Sequence, residues 1–204
     1  MIRVVAGELR GRRLAIGPGV RPTTERAREA LFSMLGDRVR GARVLDAAAG
    51  SGALGFEALS RGAREVVFVE ADRRVARVLE SNAESVGLAA RTRILVRTVA
   101  SFLVRDVPTG FDLVFFDPPW ADPVEGELAG LWRAVVPGGT FVVERGSGAA
   151  PWTEPPVAAD VRRYGTTSLF LYEKPAREGG GADDATSRAE RGDAGGVDPA
   201  SDGS

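Results

Sequence analysis

Five apolar runs of strand length, at residues 42–46, 65–70, 93–96, 111–116 and 140–143, alternate along this chain with segments of helical period. Most are rich in Val, Leu, Ile and Phe with few polar interruptions, the pattern of strands covered on both faces. Helices are predicted between them at 53–61, at 72–86 with Val75, Val78, Leu79 and Val86 on one stripe, and at 124–135. Parallel strands need a crossover, and a helix is the usual one, so strand and helix in turn specify an α/β, doubly wound, Rossmann-like sheet. After the last run, residues 161–164 and 168–172 alternate instead and form an antiparallel edge pair turning at Gly165. A small N-terminal extension precedes the first run: a hairpin over residues 3–16 around Gly11, then a helix at 24–35 with Ala27, Ala30, Leu31, Met34 and Leu35 inward. Thr23 or Thr24 is its N-cap.

Three units are expected: residues 1–40 as a basic hairpin and helix, 41–174 as the sheet domain, and 175–204 as a disordered acidic tail. The tail is Gly, Ala, Asp and Ser with almost no large apolar side chain, so burial cannot offset its ordering entropy. The whole chain carries a formal charge of -1, which hides an uneven spread. Residues 1–43 hold ten arginines against four acids, a basic head suited to an anionic polymer. Arg10, Arg12, Arg13, Arg21, Arg26 and Arg28 are the candidate phosphate ligands, and a merely solvated arginine surface is the other reading. No stretch approaches the roughly 20 apolar residues of a membrane span, and the first residues are charged where a signal peptide would be apolar. A cytoplasmic monomer without a membrane partner is expected.

The chain has no cysteine and no histidine. Disulfides, ordinary zinc sites, thiolate nucleophiles and Ser-His-Asp triads are therefore excluded, and no metal is expected. Catalysis must run on carboxylates, hydroxyls, backbone groups, arginines or a borrowed cofactor.

The first strand ends in Asp46-Ala47-Ala48-Ala49-Gly50-Ser51-Gly52-Ala53-Leu54-Gly55, a strand, a glycine-rich turn and a helix. That order marks a nucleotide-type cofactor loop. Gly50, Ser51 and Gly52 form the turn, and Glu70, closing the second strand, is placed to accept ribose hydroxyls. By itself Gly50-x-Gly52-x-x-Gly55 admits NAD, S-adenosylmethionine or a purely structural turn. A pyrophosphate seeks a helix N-terminus free of carboxylates, whereas Asp46 favours a ligand with an amino group and a sulfonium, as S-adenosylmethionine has.

The fourth run stops at Asp117-Pro118-Pro119-Trp120. Two prolines stiffen the chain and remove two amide hydrogens, so the Asp117 carboxylate and the Pro118 carbonyl can point to one place beyond the strand ends. Two acceptors gripping an exocyclic base amine favour a pyramidal nitrogen with its lone pair free toward a methyl group. Trp120 supplies a flat face on which a base can stack. An ordinary turn with a packed indole is the alternative.

Together these pieces resemble the RsmD-type family of bacterial small-subunit ribosomal RNA guanine-N2 methyltransferases, class I S-adenosylmethionine enzymes. The resemblance runs from about Arg3 to Lys174. It is carried by Arg3-Val4-Val5-Ala6-Gly7 with Arg10-Gly11-Arg12-Arg13-Leu14, by Arg21-Pro22-Thr23-Thr24-Glu25-Arg26 with Arg28-Glu29-Ala30-Leu31-Phe32, by residues 49–63, by Asp117 to Trp120, and by Tyr164-Gly165 with Leu169. It implies a class I S-adenosylmethionine-dependent methyltransferase sheet and cofactor contact from Asp46, Gly50, Gly52 and Glu70. It also implies that Arg21-Pro22-Thr23 closes over the site and that Asp117, Pro118, Pro119 and Trp120 recognise the amine. The implied substrate is one guanine of 16S rRNA in a partly assembled 30S subunit. The sequence departs from the family at Ala47-Ala48, at Glu25 for Asp, at Trp120 for Tyr or Phe, and at Thr98, where Asp or Asn is common; adenine contact then falls to Thr98 and Val99. An adenine-N6 methyltransferase, an NAD-dependent oxidoreductase and a non-catalytic RNA-binding module are the competing readings.

Overall fold

A computed structural model describes residues 1–20, 23–105, 109–119 and 124–177. The expected tail lies almost wholly outside the described residues, as do Arg21 and Trp120.

The chain opens with a short antiparallel pair, β1 (Ile2–Arg3) and β2 (Arg13–Leu14), followed by α1 (Glu25–Leu35). Thr24 is the N-cap of α1, its hydroxyl accepting the Ala27 amide hydrogen at 3.2 Å. Then come β3 (Arg43–Ala47), α2 (Ala53–Ser60), β4 (Glu65–Glu70), α3 (Arg73–Ser85), β5 (Thr92–Val96), α4 (Val99–Arg105), β6 (Phe111–Phe116), α5 (Glu125–Ala134), β7 (Val135–Gly146), β8 (Asp160–Tyr164) and β9 (Thr167–Glu173). The strands from β3 to β9 form a seven-stranded sheet in the order β5-β4-β3-β6-β7-β9-β8. The first five of these pair in parallel, and β9 and β8 add antiparallel at one edge. This is the doubly wound sheet with an antiparallel edge pair that the apolar runs specify. The order reverses between β3 and β6, the switch point at which such sheets bind ligands.

Side chains alternating along each strand feed two cores. Val44, Phe68 and Phe115 pack with α1, α2 and α3, while Leu45, Val114 and Phe141 pack with α4 and α5. Ile2, Val4, Leu14, Leu31, Phe32 and Leu35 belong to the first of these cores, so the described hairpin and α1 share a core with the sheet. Polar clips fix the hairpin as well. Glu57 on α2 accepts the Val5 and Ala6 amide hydrogens at 2.8 and 3.0 Å, Ser60 accepts that of Leu9 at 2.9 Å, and Asn82 on α3 both donates to and accepts from the Ala15 backbone at 2.9 Å.

Two elements differ from the sequence pattern. The strand expected at 140–143 begins at Val135 directly after α5, with a register shift between Phe111 and Leu113 on its partner absorbing Pro137-Gly138-Gly139. The helix α4 shows no apolar stripe, since Phe102 is its one buried residue.

Candidate active site

The register of the parallel strands builds the site. Val69, Ala47, Phe116 and Val143 lie in one row across β4, β3, β6 and β7. One step further along each chain come Glu70, Ala48, Asp117 and Glu144, a row of mostly acidic residues at the carboxyl edge of the sheet. Asp46, Ala48, Glu70, Asp117 and Glu144 all line a single cavity of about 1410 Å³. That exceeds the roughly 300–1,000 Å³ of a one-ligand pocket, which leaves space for a cofactor and a second group.

On the β3–β4 side, the chain leaves β3 through Ala48, a non-glycine residue at φ +60°. Such a left-handed residue costs roughly 1–2 kcal/mol and is typical of a strained ligand loop. Gly50 returns over the strand ends, where its amide donates to Glu70 Oε2 at 2.8 Å, and Glu70 Oε1 accepts the Asp72 amide at 2.8 Å. Asp46 points toward α2, where its Oδ2 accepts the Gly55 amide at 2.9 Å. Gly55 has no room for a side chain: a Cβ there would lie 2.3 Å from the Phe68 ring. Burial, and then the charges of Asp117 and Glu70, push the Asp46 carboxyl well above the usual carboxylate range despite the Gly55 bond. Thr98 and Val99 line the same half. The Thr98 hydroxyl accepts the Ser101 amide hydrogen at 3.1 Å as α4 begins, so its own proton stays available to a ligand.

On the β6–β7 side, Asp117, Pro118 and Pro119 line the cavity together with Thr23. The Thr23 hydroxyl donates to Asp117 Oδ2 at 3.0 Å and orients the carboxylate. Burial pushes the Asp117 carboxyl up to about 6, against the pull of that hydroxyl. Arg163, Tyr164 and Thr167, from β8 and β9, complete the wall.

Of the residues singled out from sequence, Asp46, Gly50, Ser51, Glu70, Thr23, Thr98, Val99, Asp117, Pro118 and Pro119 meet in this cavity. Gly52 does not line it. It starts α2 at φ +70°, and a Cβ there would press on Leu79 and Phe56, so its role is packing. The arginines divide. Arg26 lines the cavity. Arg10, Arg12 and Arg13 are exposed but lie elsewhere, because the hairpin turn is clipped to Ser60 at the far end of α2 and Arg12 donates to the Ser85 carbonyl at the end of α3. That end is about 9 Å beyond Leu54, the last α2 residue on the cavity wall, at 1.5 Å per residue of helix. Arg28 is a correction: it is 1% exposed, donates to the Arg3 carbonyl at 2.6 Å and stands 3.7 Å from the equally buried Glu57, so it is a core residue and no phosphate ligand. Arg97, Glu127, Glu144 and Arg163 are lining residues that the sequence pattern did not single out. Glu144 has the least sequence signal, one acid at a strand end, yet it is 4% exposed and its Oε2 has no hydrogen-bond partner.

Comparison with known proteins agrees with this geometry. A family profile described as conserved hypothetical protein 95 matches residues 2–173. The ribosomal RNA small subunit methyltransferase D of Escherichia coli K12 is 43% identical over 121 residues, covering 58% of this chain and 60% of the relative. The protein of that name from Haemophilus influenzae is 39% identical over 123 residues, covering 58% of this chain and 64% of the relative. The matched part thus spans under two thirds of these curated relatives. Among solved structures, the E. coli chain yhhF superposes with a TM-score of 0.78 at 33% identity, covering 86% of this chain and 99% of that one. A hypothetical protein of Thermus thermophilus, TTHA0928, gives 0.74 at 33% identity, covering 85% and 99%.

Proposed function

The chain belongs to this family, that of the small-subunit ribosomal RNA methyltransferase D proteins, and from that premise we propose that it methylates the N2 amine of a guanine in 16S ribosomal RNA with S-adenosylmethionine as donor. The observation that carries the reading is that Asp117 and Pro118 share one cavity with the braced loop of Gly50 and Glu70. The donor set fits this cofactor. Six carboxyls, those of Asp46, Glu70, Asp72, Asp117, Glu127 and Glu144, face the cavity against three guanidinium groups, those of Arg26, Arg97 and Arg163. Burial pushes Asp46, Asp117 and Glu144 toward their protonated forms, so a ligand with an amino group and a sulfonium lets them ionise, whereas the pyrophosphate of a dinucleotide adds anions beside them.

When bound, the cofactor supplies an electrophilic methyl carbon. Glu70, already oriented by two backbone amides, accepts the ribose hydroxyls on its remaining lone pairs. Asp46, whose carboxyl burial pushes well above the usual carboxylate range, would hold the cationic amino group and ionise beside it. Ser51, Thr98 and Val99 would hold the rest of the nucleoside, with Thr23 on the wall of the same cavity. A guanine reaches this depth only out of its stack. There the Asp117 carboxylate and the Pro118 carbonyl accept its two amine hydrogens and free the nitrogen lone pair. Transfer of the methyl carbon, with its bond to sulfur breaking and the neutral thioether leaving, would make the nitrogen cationic, and Asp117, whose carboxyl burial pushes up to about 6, is placed to take the proton that nitrogen then loses.

Arg26 and Arg163 at the cavity hold phosphates next to the extruded base, and Arg10, Arg12 and Arg13 hold more distant ones. The substrate is the RNA of a partly assembled 30S subunit, and the enzyme works on it as a cytoplasmic monomer. Among the described residues no helix is long and apolar enough to cross a membrane.

The test is incubation with labelled methyl donor and small subunits lacking the modification, followed by mapping of the labelled base. Label on guanine N2, lost in Asp117→Ala with RNA affinity retained, is the expected result. Label on an adenine, or none on RNA, overturns the reading.

A further inference from the structure

The strand order sets a line of acceptors along one wall of the cavity. Pro118 and Asp117 follow β6, and Glu144 stands beside them on the adjacent β7, because Phe116 pairs with Val143. Neighbouring strands lie about 4.8 Å apart. Asp117 alternates with Phe116 of the second core, and Glu144 pairs with Leu169 of the first, so both carboxyls turn to the α1 face of the sheet. Glu144 lines the cavity, is 4% exposed, and its Oε2 has no hydrogen-bond partner. A buried carboxyl oxygen without a donor is costly to keep. Rotation about the last bond, which is soft for a carboxyl, exchanges its two oxygens. The methyl transfer described above gives this side chain no task.

We propose that Glu144 selects the base: it accepts the N1 hydrogen of guanine while Asp117 and the Pro118 carbonyl hold the adjacent N2 amine. This rests on the methyltransferase reading of the cavity. An extruded base is read on its pairing edge. On that edge of guanine the two amine hydrogens and the N1 hydrogen stand side by side, three donors in a row. Pro118, Asp117 and Glu144 are three acceptors in the matching order along the sheet. Adenine carries a bare N1 acceptor beside its amine. With that amine on Asp117 and Pro118, the N1 lone pair meets the Glu144 carboxylate, and neither has a hydrogen to give. A base that lacks the hydrogen a site is built to accept is rejected far more strongly than one that differs by a methyl group. Burial and the Asp117 charge push the empty Glu144 carboxyl up to about 8, the Thr23 and Thr167 hydroxyls favour its charged form, and a pH above 8 therefore favours the acceptor state.

The experiment compares two substrates on the full chain at pH 8.5: small subunits whose RNA carries guanine at the labelled position, and subunits carrying 2-aminopurine there. The second base keeps the amine but has a bare N1 in place of N1–H. Wild type is expected to prefer guanine by at least about thirtyfold in kcat/KM. Glu144→Gln offers both an acceptor and a donor, so it serves either base, and the preference narrows at least about fivefold, mainly through a gain on 2-aminopurine. Any difference in the reactivity of the two amines cancels in that ratio, and a merely structural role for Glu144 lowers both rates without moving it. Wild type that uses both bases alike, or a Gln variant whose preference narrows less than fivefold, overturns the proposal. If the Gln variant does not fold, Glu144→Asp replaces it. That variant keeps the charge and loses the reach, so it drops on guanine, holds its rate on 2-aminopurine and narrows the preference by the same factor. Wild type that methylates neither base sinks the methyltransferase reading and this proposal with it, whereas guanine labelled with an unmoved preference sinks only the role of Glu144.

Discussion

The Glu70 carboxylate holds the Gly50 amide on one oxygen and the Asp72 amide on the other, each at 2.8 Å, so one side chain sets the spacing of two loops that wall the cavity. Glu70→Ala removes both braces and the ribose acceptor together. The expected result is donor affinity at least about tenfold weaker, or ~1.4 kcal/mol, with melting temperature little changed. Isothermal titration with S-adenosylmethionine or its demethylated product checks this, and unaltered affinity would remove Glu70 from the binding site.

Glu57 is buried and accepts from Val5, Ala6 and Arg61 while standing beside the buried Arg28. Glu57→Ala strands a guanidinium whose pKa burial already lowers, and frees the hairpin. A loss of about 3–5 kcal/mol is expected from urea unfolding. Arg28→Met costs less, because it fills the volume without a charge and leaves Glu57 its three other donors.

The stability of the unliganded protein falls with rising pH. Asp117 is raised from 3.8 to about 6 and Glu144 from 4.5 to about 8. Both groups bind protons more tightly folded than unfolded, so their contribution is complete below pH 4 and is lost as pH climbs through the folded values. A melting temperature that declines between pH 5 and 9, with a shallower slope in Glu144→Gln, is the expected outcome. A flat wild-type profile would contradict the burial of the pair.

RNA affinity separates the arginines by position. Arg163→Ala and Arg26→Ala, at the cavity, each lower the salt slope by about 1 if they hold a phosphate. Arg12→Ala, at the far end of α3, has the same effect only with RNA long enough to reach the hairpin. Filter binding of a short stem-loop and of intact small-subunit RNA at several salt concentrations distinguishes them.

Much of this arrangement is legible in the residues. The run Phe111–Phe116 ending in Asp117-Pro118-Pro119, and the turn from Asp46 to Gly55, announce a strand edge and a ligand loop through local pattern alone. What is missed depends on distant partners. Arg28 reads as one more helix-surface arginine, and only Glu57 and the Arg3 carbonyl make it a core residue. Glu144 gains its meaning from the pairing of Phe116 with Val143, which brings it beside Asp117. Gly52 fits a cofactor pattern, yet Leu79 from a later helix claims the space over it. The helix α4 escapes because a single buried Phe102 leaves no period to detect.

The clips that hold the hairpin also impose an order on biosynthesis. Ala15 binds Asn82 and Arg12 binds Ser85, partners 67 and 73 residues downstream. Residues that leave the ribosome early therefore find their first polar clips, Glu57 and Ser60, only once α2 has emerged and the rest only with α3, and the basic segment stays open and available to other anions during that interval. A protein proposed to act on ribosomal RNA thus seats its first-made strands only after much of the sheet domain has followed them out.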